Sequence, residues 1–373
     1  MLSTPAADRA RMLELETQIA DLEHALAGRK LEQLTVKKRL DAVKYPVLTL
    51  PNEIVSEILI HCLPPYPECP PLVGPSSPIP LTHICRKWRQ IALTTPQLWR
   101  AVLLHTQDLP SDLSGIWLSR SGSCPISIDI QDYTYSTQAS RGEELLEAVL
   151  PYCARWEYVD LGIDNVDEPV VEGAMPLLRH LSALTGTMHG NLDFSQAPRL
   201  RSVSLHADIP PLVLPWTQLT SMHLFGTTLI NCVPFLEPAI NLIHLKIDLY
   251  IMDEDEQDTM ESFITLPFLE SFTWRPHPGT MNNCLSHFIL PNLSRLVIDQ
   301  DILQSDPIAS LTSFVSRSSC PLECLIIVGD EEPLSEQSYR AALPSVKKLV
   351  VASRYDKVKR REIESHWVLS TDL

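Results

Sequence analysis

The chain has 373 residues, 45% of them hydrophobic and 20% charged. At ~150 residues per domain this length allows two or three folded units, and the composition excludes a small stapled module, a fibre and a disordered tail. Thirty Lys plus Arg against forty-six Asp plus Glu give a net charge of −16, the wrong sign for a protein that neutralises phosphates over its surface, so nucleic acid is not an expected partner. Only twelve glycines occur, without G-x-G-x-x-G, G-x-x-x-x-G-K-[ST] or G-x-S-x-G. The usual signals of phosphate loops and nucleophile elbows are therefore missing, and neither an enzyme nor a cofactor is expected.

The nine cysteines (Cys62, Cys69, Cys85, Cys124, Cys153, Cys232, Cys284, Cys320 and Cys324) are odd in number and scattered, mostly through apolar runs. They read as reduced core residues. The first thirty residues carry no apolar leader region, and no apolar stretch reaches ~18 residues, so neither secretion nor membrane spanning is expected. A cytoplasmic or nuclear location fits both observations.

In chain order, Met12, Leu15, Ile19, Leu22, Leu26, Arg29, Gln33, Val36, Leu40 and Val43 occupy alternating a and d positions of one heptad frame. With Glu14, Glu16, Glu23, Lys30, Lys37, Lys38 and Arg39 between them, the spacing predicts an amphipathic helix within residues 1–45. Arg29 and Gln33 divide the apolar seam. Weak self-association through residues 12–43 and a solitary or folded-back helix therefore both remain open. Tyr45-Pro46 ends the helix, because a residue before proline avoids the α region.

Residues 46–105 read as a second module. Pro51 and Glu53 favour a helix start, followed by Ile54, Val55, Ile58, Leu59 and Cys62 at helical spacing. Pro64, Pro65, Pro67, Pro70, Pro71, Pro75, Pro78 and Pro80 interrupt residues 64–80, which are expected as an exposed loop. Ser77-Pro78 would cap a second helix carrying Leu81, Ile84, Cys85, Trp88, Ile91 and Ala92, and Thr95-Pro96 starts a short turn through Leu98 and Trp99. Three short helices are a small core on their own, so a partner is expected to cover the apolar face.

Leu50-Pro51-x-Glu53-Ile54-x-x-x-Ile58, then Leu81-x-x-Ile84-Cys85-Arg86-x-Trp88-Arg89-x-Ile91-Ala92, then Leu98-Trp99-Arg100 resembles the F-box, the adaptor-binding motif of ubiquitin-ligase receptors. It covers about sixty residues, a sixth of the chain, and departs from the common motif in the proline-rich insert. A heptad helix followed by such an insert is similar to the arrangement in many fungal F-box proteins.

Residues 106–373 follow a third pattern, in which an apolar residue is followed by others three and five positions later. It occurs at Trp156/Val159/Leu161, Leu178/Leu181/Ala183, Leu200/Val203/Leu205, Leu219/Met222/Leu224 and Leu242/Leu245/Ile247. It continues at Leu269/Phe272/Trp274, Leu293/Leu296/Ile298, Leu322/Leu325/Ile327 and Val346/Leu349/Val351. The starts advance by 19 to 29 residues, which resembles degenerate leucine-rich repeats with one parallel strand per unit. Ala197-Pro198, Leu266-Pro267, Leu290-Pro291, Cys320-Pro321 and Leu343-Pro344 mark turns into strands. The expected fold class is thus α + α/β: an amphipathic helix, a three-helix F-box module and an irregular (β/α) solenoid, with a large globular α/β domain as the alternative.

Alternation along each strand would place Tyr158, Asp160, His180, His206, His223, Phe225, His244, Lys246, Asp248, Arg275, Arg295 and Asp299 on the concave surface. His61, Cys62 and Cys69, and separately Cys320 and Cys324, fall short of four zinc ligands, so no metal is expected. The acidic run Asp253, Glu254, Asp255, Glu256 and Asp258 lacks the glycine and closing glutamate of an EF-hand, and the basic run Lys357, Lys359, Arg360 and Arg361 reads as a solvated face.

The F-box resemblance implies the substrate receptor of a Skp-cullin-F-box ligase. Leu50, Pro51, Ile54, Ile58, Leu81, Ile84, Trp88, Leu98 and Trp99 would bind a Skp-type adaptor and, through it, cullin. The repeat array would hold an unknown protein substrate through His223, Phe225, His244, Lys246 and Arg275. A scaffold that binds a helical partner without delivering anything to degradation is the alternative.

Overall fold

The computed structural model describes residues 5–42, 46–105, 112–131, 141–163, 167–183, 189–206, 212–226, 228–249, 263–276, 284–303, 306–329 and 335–353. The chain forms two compact units, Met1–Ile58 and Leu59–Leu373. The stretch expected as one helical module, 46–105, is therefore divided between them.

The first unit is led by α1 (Pro5–Ala42). Proline stands at its first turn, where no donor is needed, and good helix formers follow. Its side chains are exposed from Ala7 to Ala42. Leu13, Leu31 and Leu34 lie outside the heptad frame and are exposed as well, so the apolar residues are spread more widely than one seam. A 3-10 turn, Pro46–Thr49, leads to α2 (Asn52–Ile60). This helix starts one residue later than expected, the Pro51 carbonyl accepting its first bond from the Val55 N–H at 3.1 Å. Val55 and Leu59 are buried, whereas Ile54 and Ile58 are exposed. Cys62, expected on the apolar face, sits exposed in the turn that follows.

The expected second helix is two. Ser77 caps α3 (Pro78–Leu81), and Cys85 caps α4 (Arg86–Leu93), its Sγ accepting from the Trp88 N–H at 3.5 Å. Between them the Thr82 N–H and hydroxyl both turn back to the Ile79 carbonyl, which closes the first helix. The 3-10 turn Pro96–Trp99 then buries Leu98 and Trp99. Trp99 donates from Nε1 to the Ala92 carbonyl at 2.9 Å. It packs edge-on against Trp117 with ring centroids 5.1 Å apart, and Trp117 belongs to α5 (Asp112–Arg120).

The strands, in chain order, are β1 (Ala101–His105), β2 (Ile126–Gln131), β3 (Trp156–Gly162), β4 (Asp167–Val171), β5 (His180–Ala183), β6 (His189–Asp193), β7 (Ser202–His206) and β8 (Leu212–Val213). They continue as β9 (Ser221–Gly226), β10 (His244–Leu249), β11 (Ile264–Thr265), β12 (Ser271–Pro276), β13 (Phe288–Ile289), β14 (Arg295–Asp299), β15 (Cys324–Gly329) and β16 (Lys348–Ser353). Eleven form one sheet in the order β1-β2-β3-β5-β7-β9-β10-β12-β14-β15-β16, and every pairing within it is parallel. Strand neighbours are thus sequence neighbours, and the short strands form side sheets, β4-β6-β8 and β11-β13. α6 (Arg141–Val149), α7 (Leu229–Leu236), α8 (Pro307–Ser318) and α9 (Glu336–Ala342) lie in the connections.

The repeat spacing explains this register. Val159, Leu181, Val203, Met222, Leu245, Phe272, Leu296, Leu325 and Leu349 follow one another across the ladder, and all are buried. Several turns into strands are X-Pro-x-Leu with a bond from the fourth residue to the first, as in Leu178 N–H to Met175 and Leu200 N–H to Ala197. Proline's fixed φ suits the second position of such a turn, and its missing donor costs nothing there. Mixed helix and parallel sheet are in line with the expected α + α/β class.

The proline-rich insert departs from expectation. Val73, Gly74, Pro75 and Ser76 are exposed, but Pro70, Leu72, Ser77 and Pro78 are buried. The Pro70 carbonyl accepts from the Leu103 N–H at 2.9 Å, and Pro71 bridges to Leu103 in parallel. Tyr66 donates its hydroxyl to Glu157 at 2.8 Å, stacks edge-on with Tyr158 and lies under the Arg100 guanidinium. Proline lacks a donor but keeps its carbonyl, so it can satisfy the spare N–H of an edge strand without offering a new edge.

Candidate functional site

The residues opposite the buried ladder form a polar face. One register row runs Asp129, Asp160, Ser182, Ser204, His223, Lys246, Thr273. Its neighbour runs His206, Phe225, Asp248, Arg275. The five residues expected to bind substrate, His223, Phe225, His244, Lys246 and Arg275, come together on β9, β10 and β12, all half-buried.

Asp248 organises this cluster. Its Oδ2 accepts from His223 Nε2 at 2.7 Å and from Lys246 Nζ at 2.8 Å. The His223 and Phe225 rings are 3.8 Å apart, and Lys246 Nζ lies 5.8 Å from the Phe225 centroid. Burial works to raise the Asp248 carboxyl, but the hydrogen bonds and charges of His223 and Lys246 outweigh it and hold the group below its ordinary range. Burial pushes His223 down, helped by Lys246 and Arg275 against the pull of Asp248, and it pushes His244 down too. His180 bonds Ser202 at 3.1 Å through Nδ1 and is driven to about 4, by burial first and by His223 second. At neutral pH the face therefore carries neutral imidazoles beside Lys246 and Arg275.

Toward β1 the same face is covered by the insert. Cys69 Sγ lies 3.3 Å from Ser127 Oγ, and burial pushes its thiol up to about 12. Asp129 rises to about 6, through burial and then through Asp160 beside it; burial also raises Asp160. Tyr158, expected on the open surface, lies against Tyr66. Toward β16 the face turns apolar: Val297, Ile326 and Ala352 form a buried cluster with Cys324, Val328 and Val350 around it. Asp299, also expected on the surface, is buried there. The open polar surface is thus confined to the middle strands: toward β1 the face stays polar but is covered, and toward β16 it turns apolar.

The nine residues expected to bind an adaptor fall into three groups. Pro51, Ile54, Ile58 and Ile84 are exposed, and Leu50, Leu81 and Trp88 are half-buried. Leu98 and Trp99 are 1% and 0% exposed and belong to the core, Trp99 closing against Trp117 of α5 and bonding the Ala92 carbonyl. Sequence reasoning missed Ser127 and Asp129, although the alternation of Ile126, Ile128 and Ile130 on β2 was a readable signal for them.

Among the described residues no group of three or more His, Cys, Asp and Glu is placed to hold a metal ion, and no helix is long and apolar enough to cross a membrane. The cysteines with described side chains are unpaired. The acidic run from Asp253 to Asp258 and the basic run from Lys357 to Arg361 lie outside the described residues. The chain matches no family model, and no curated protein matches it significantly.

Proposed function

We propose that this chain is an F-box-type substrate receptor. Residues 50–100 dock a Skp-type adaptor and, through it, cullin, while the repeat-bearing sheet, read as a leucine-rich-repeat solenoid, holds the protein to be ubiquitinated across β9, β10 and β12. The observation that carries this reading is how the motif's apolar residues divide. Ile54, Ile58 and Ile84 are 48%, 37% and 55% exposed, while Val55, Leu59, Ile91 and Ala92 of the same motif stretch are buried. Large aliphatics left in water at motif positions are what a partner-binding surface requires. The chain then positions rather than catalyses: tethering a target beside the ligase raises its effective concentration.

Interface anchors of this kind typically contribute ~2 kcal/mol, which is more than tenfold in affinity. An Ile54→Ala, Ile58→Ala, Ile84→Ala variant should therefore lose a purified Skp-type adaptor in a pull-down while circular dichroism and melting stay unchanged. Undiminished binding would overturn the assignment. Recovery of adaptor with cullin from cells supports the ligase reading, whereas adaptor without cullin would replace it with a scaffold.

A further inference from the structure

Independently of that function, α1 is an unusual feature of the chain: a helix about 57 Å long at 1.5 Å per residue, with its described side chains exposed along its whole length. A solitary helix in water is held only by propensity, and exposed Met12, Leu15, Ile19, Leu22, Leu26, Val36 and Leu40 give it a seam to bury.

We infer that α1 pairs with α1 of a second copy of this chain as an antiparallel two-stranded coil. The charges select both the occupant and the direction. The first half of the helix carries Glu16 and Glu23 beside the seam, and the second half carries Lys30 and Lys37 at the equivalent positions. Antiparallel pairing that sets Leu15 opposite Leu40 of the second copy also sets Ile19 opposite its Val36. Along the edge it brings Glu16 to Lys37 and Glu23 to Lys30, each contact repeated by the two-fold axis. The other edge pairs Gln18 with Arg39 and Ala25 with Glu32, without like charges.

The polar residues of the seam decide against the parallel alternative. In parallel register Arg29 would face Arg29 and Gln33 would face Gln33, which places two guanidinium groups together in a partly desolvated layer. In antiparallel register Arg29 faces Leu26 and Gln33 faces Leu22. Arg29 already turns its head off the seam to Glu32 at 3.0 Å, leaving its stem to pack. A parallel coil would draw its edge pairs from Arg11 and Glu32, which are engaged within the helix by Glu14 and Arg29. The antiparallel coil draws on Glu16, Glu23, Lys30 and Lys37, which form no ion pair within α1.

The test measures the mass of the full chain by light scattering across a concentration series. Wild type should move toward twice the 42.0 kDa chain mass. Glu16→Lys with Glu23→Lys, and separately Lys30→Glu with Lys37→Glu, should each give a monomer whose β-sheet signal by circular dichroism is unchanged. Mixing the two variants should restore the dimer, because every pair along the antiparallel Glu–Lys edge is then again Lys with Glu, whereas a parallel mixture keeps half its charged edge contacts repulsive. A monomeric wild type, or variants that still dimerise alone, would overturn the pairing. A dimeric wild type whose mixed variants stay monomeric would overturn the antiparallel arrangement.

Discussion

Asp129 on β2 and Asp248 on β10 lie on the same face of the same parallel sheet, both half-buried, and are pushed in opposite directions. Asp129 sits in register with Asp160, beneath the segment that carries Cys69, and is drawn up to about 6. Asp248 is flanked by His223 and Lys246 and is held below its ordinary value. Strand periodicity decides only which face a side chain takes. What its neighbours on that face bring, and whether a segment covers it, decides its charge. The covered end is thus built to exclude water, and the middle to hold charge in an ordered array.

The largest test of that contrast removes the cover. Replacing residues 66–71 by a Gly-Ser linker deletes the Tyr66 bond to Glu157, the Tyr66 packing on Tyr158 and Arg100, and the Pro70 bond to Leu103. A loss of ~3 kcal/mol in urea unfolding is expected, and the Asp129 carboxyl, followed by NMR, should fall back toward 3.8. An unchanged unfolding midpoint would mean that the insert is only a tether. Limited proteolysis should cut first at the exposed Val73–Ser76 tip and spare the edge-bound residues before it.

A smaller effect comes from the middle of the face. Asp248→Asn removes the charged acceptor shared by His223 and Lys246, and hydrogen bonds to a charged group typically contribute ~2 kcal/mol. A carboxyl whose folded pKa is depressed stabilises above its unfolded value and loses that contribution as pH falls through the folded one. The gap between wild type and variant should therefore be full at pH 7 and close below the ordinary 3.8. A gap that stays constant with pH would show that the ion pairs are not its source.

Much of this arrangement is legible in the residues. The three-and-five spacing marks nine strands of the sheet because each triplet, buried but for half-buried Val351, forms one rung of the core, and X-Pro-x-Leu marks turns because proline's φ suits them. The rest is hidden for physical reasons. β1 precedes the repeat frame, and β2 shows its alternation only as Ile126, Ile128 and Ile130, without the three-and-five spacing that marks the later strands. The break between α3 and α4 leaves the apolar spacing of Leu81, Ile84, Cys85 and Trp88 intact, and cysteine is not among the residues that ordinarily announce a helix start. The insert's prolines correctly excluded helix and central strand, but they said nothing of carbonyls available to an edge. Leu98 and Trp99 look like any exposed motif residue until Trp117, in a separate helix, closes over Trp99.

The smallest effect has the opposite sign. Asp129→Asn should stabilise the protein at pH 7, because the wild-type carboxylate must ionise where burial and Asp160 disfavour it. Its Oδ1 has no hydrogen-bond partner among the described residues, and an amide there could donate toward Asp160 instead of repelling it. An acid whose folded value is raised releases its proton first in the unfolded chain, so stability falls as pH climbs from the ordinary 3.8 to about 6 and is level beyond. At full burial that displacement would be worth ~3 kcal/mol, and partial exposure reduces it to ~1 kcal/mol. The variant should therefore match wild type at pH 3.5 and exceed it by ~1 kcal/mol at pH 7, read by urea unfolding at both. Asp129→Asn and Asp248→Asn, chemically the same substitution on one face, should then move stability in opposite directions at neutral pH. A loss for both would show that the Asp129–Asp160 pair is a hydrogen-bonded support and not a site of repulsion.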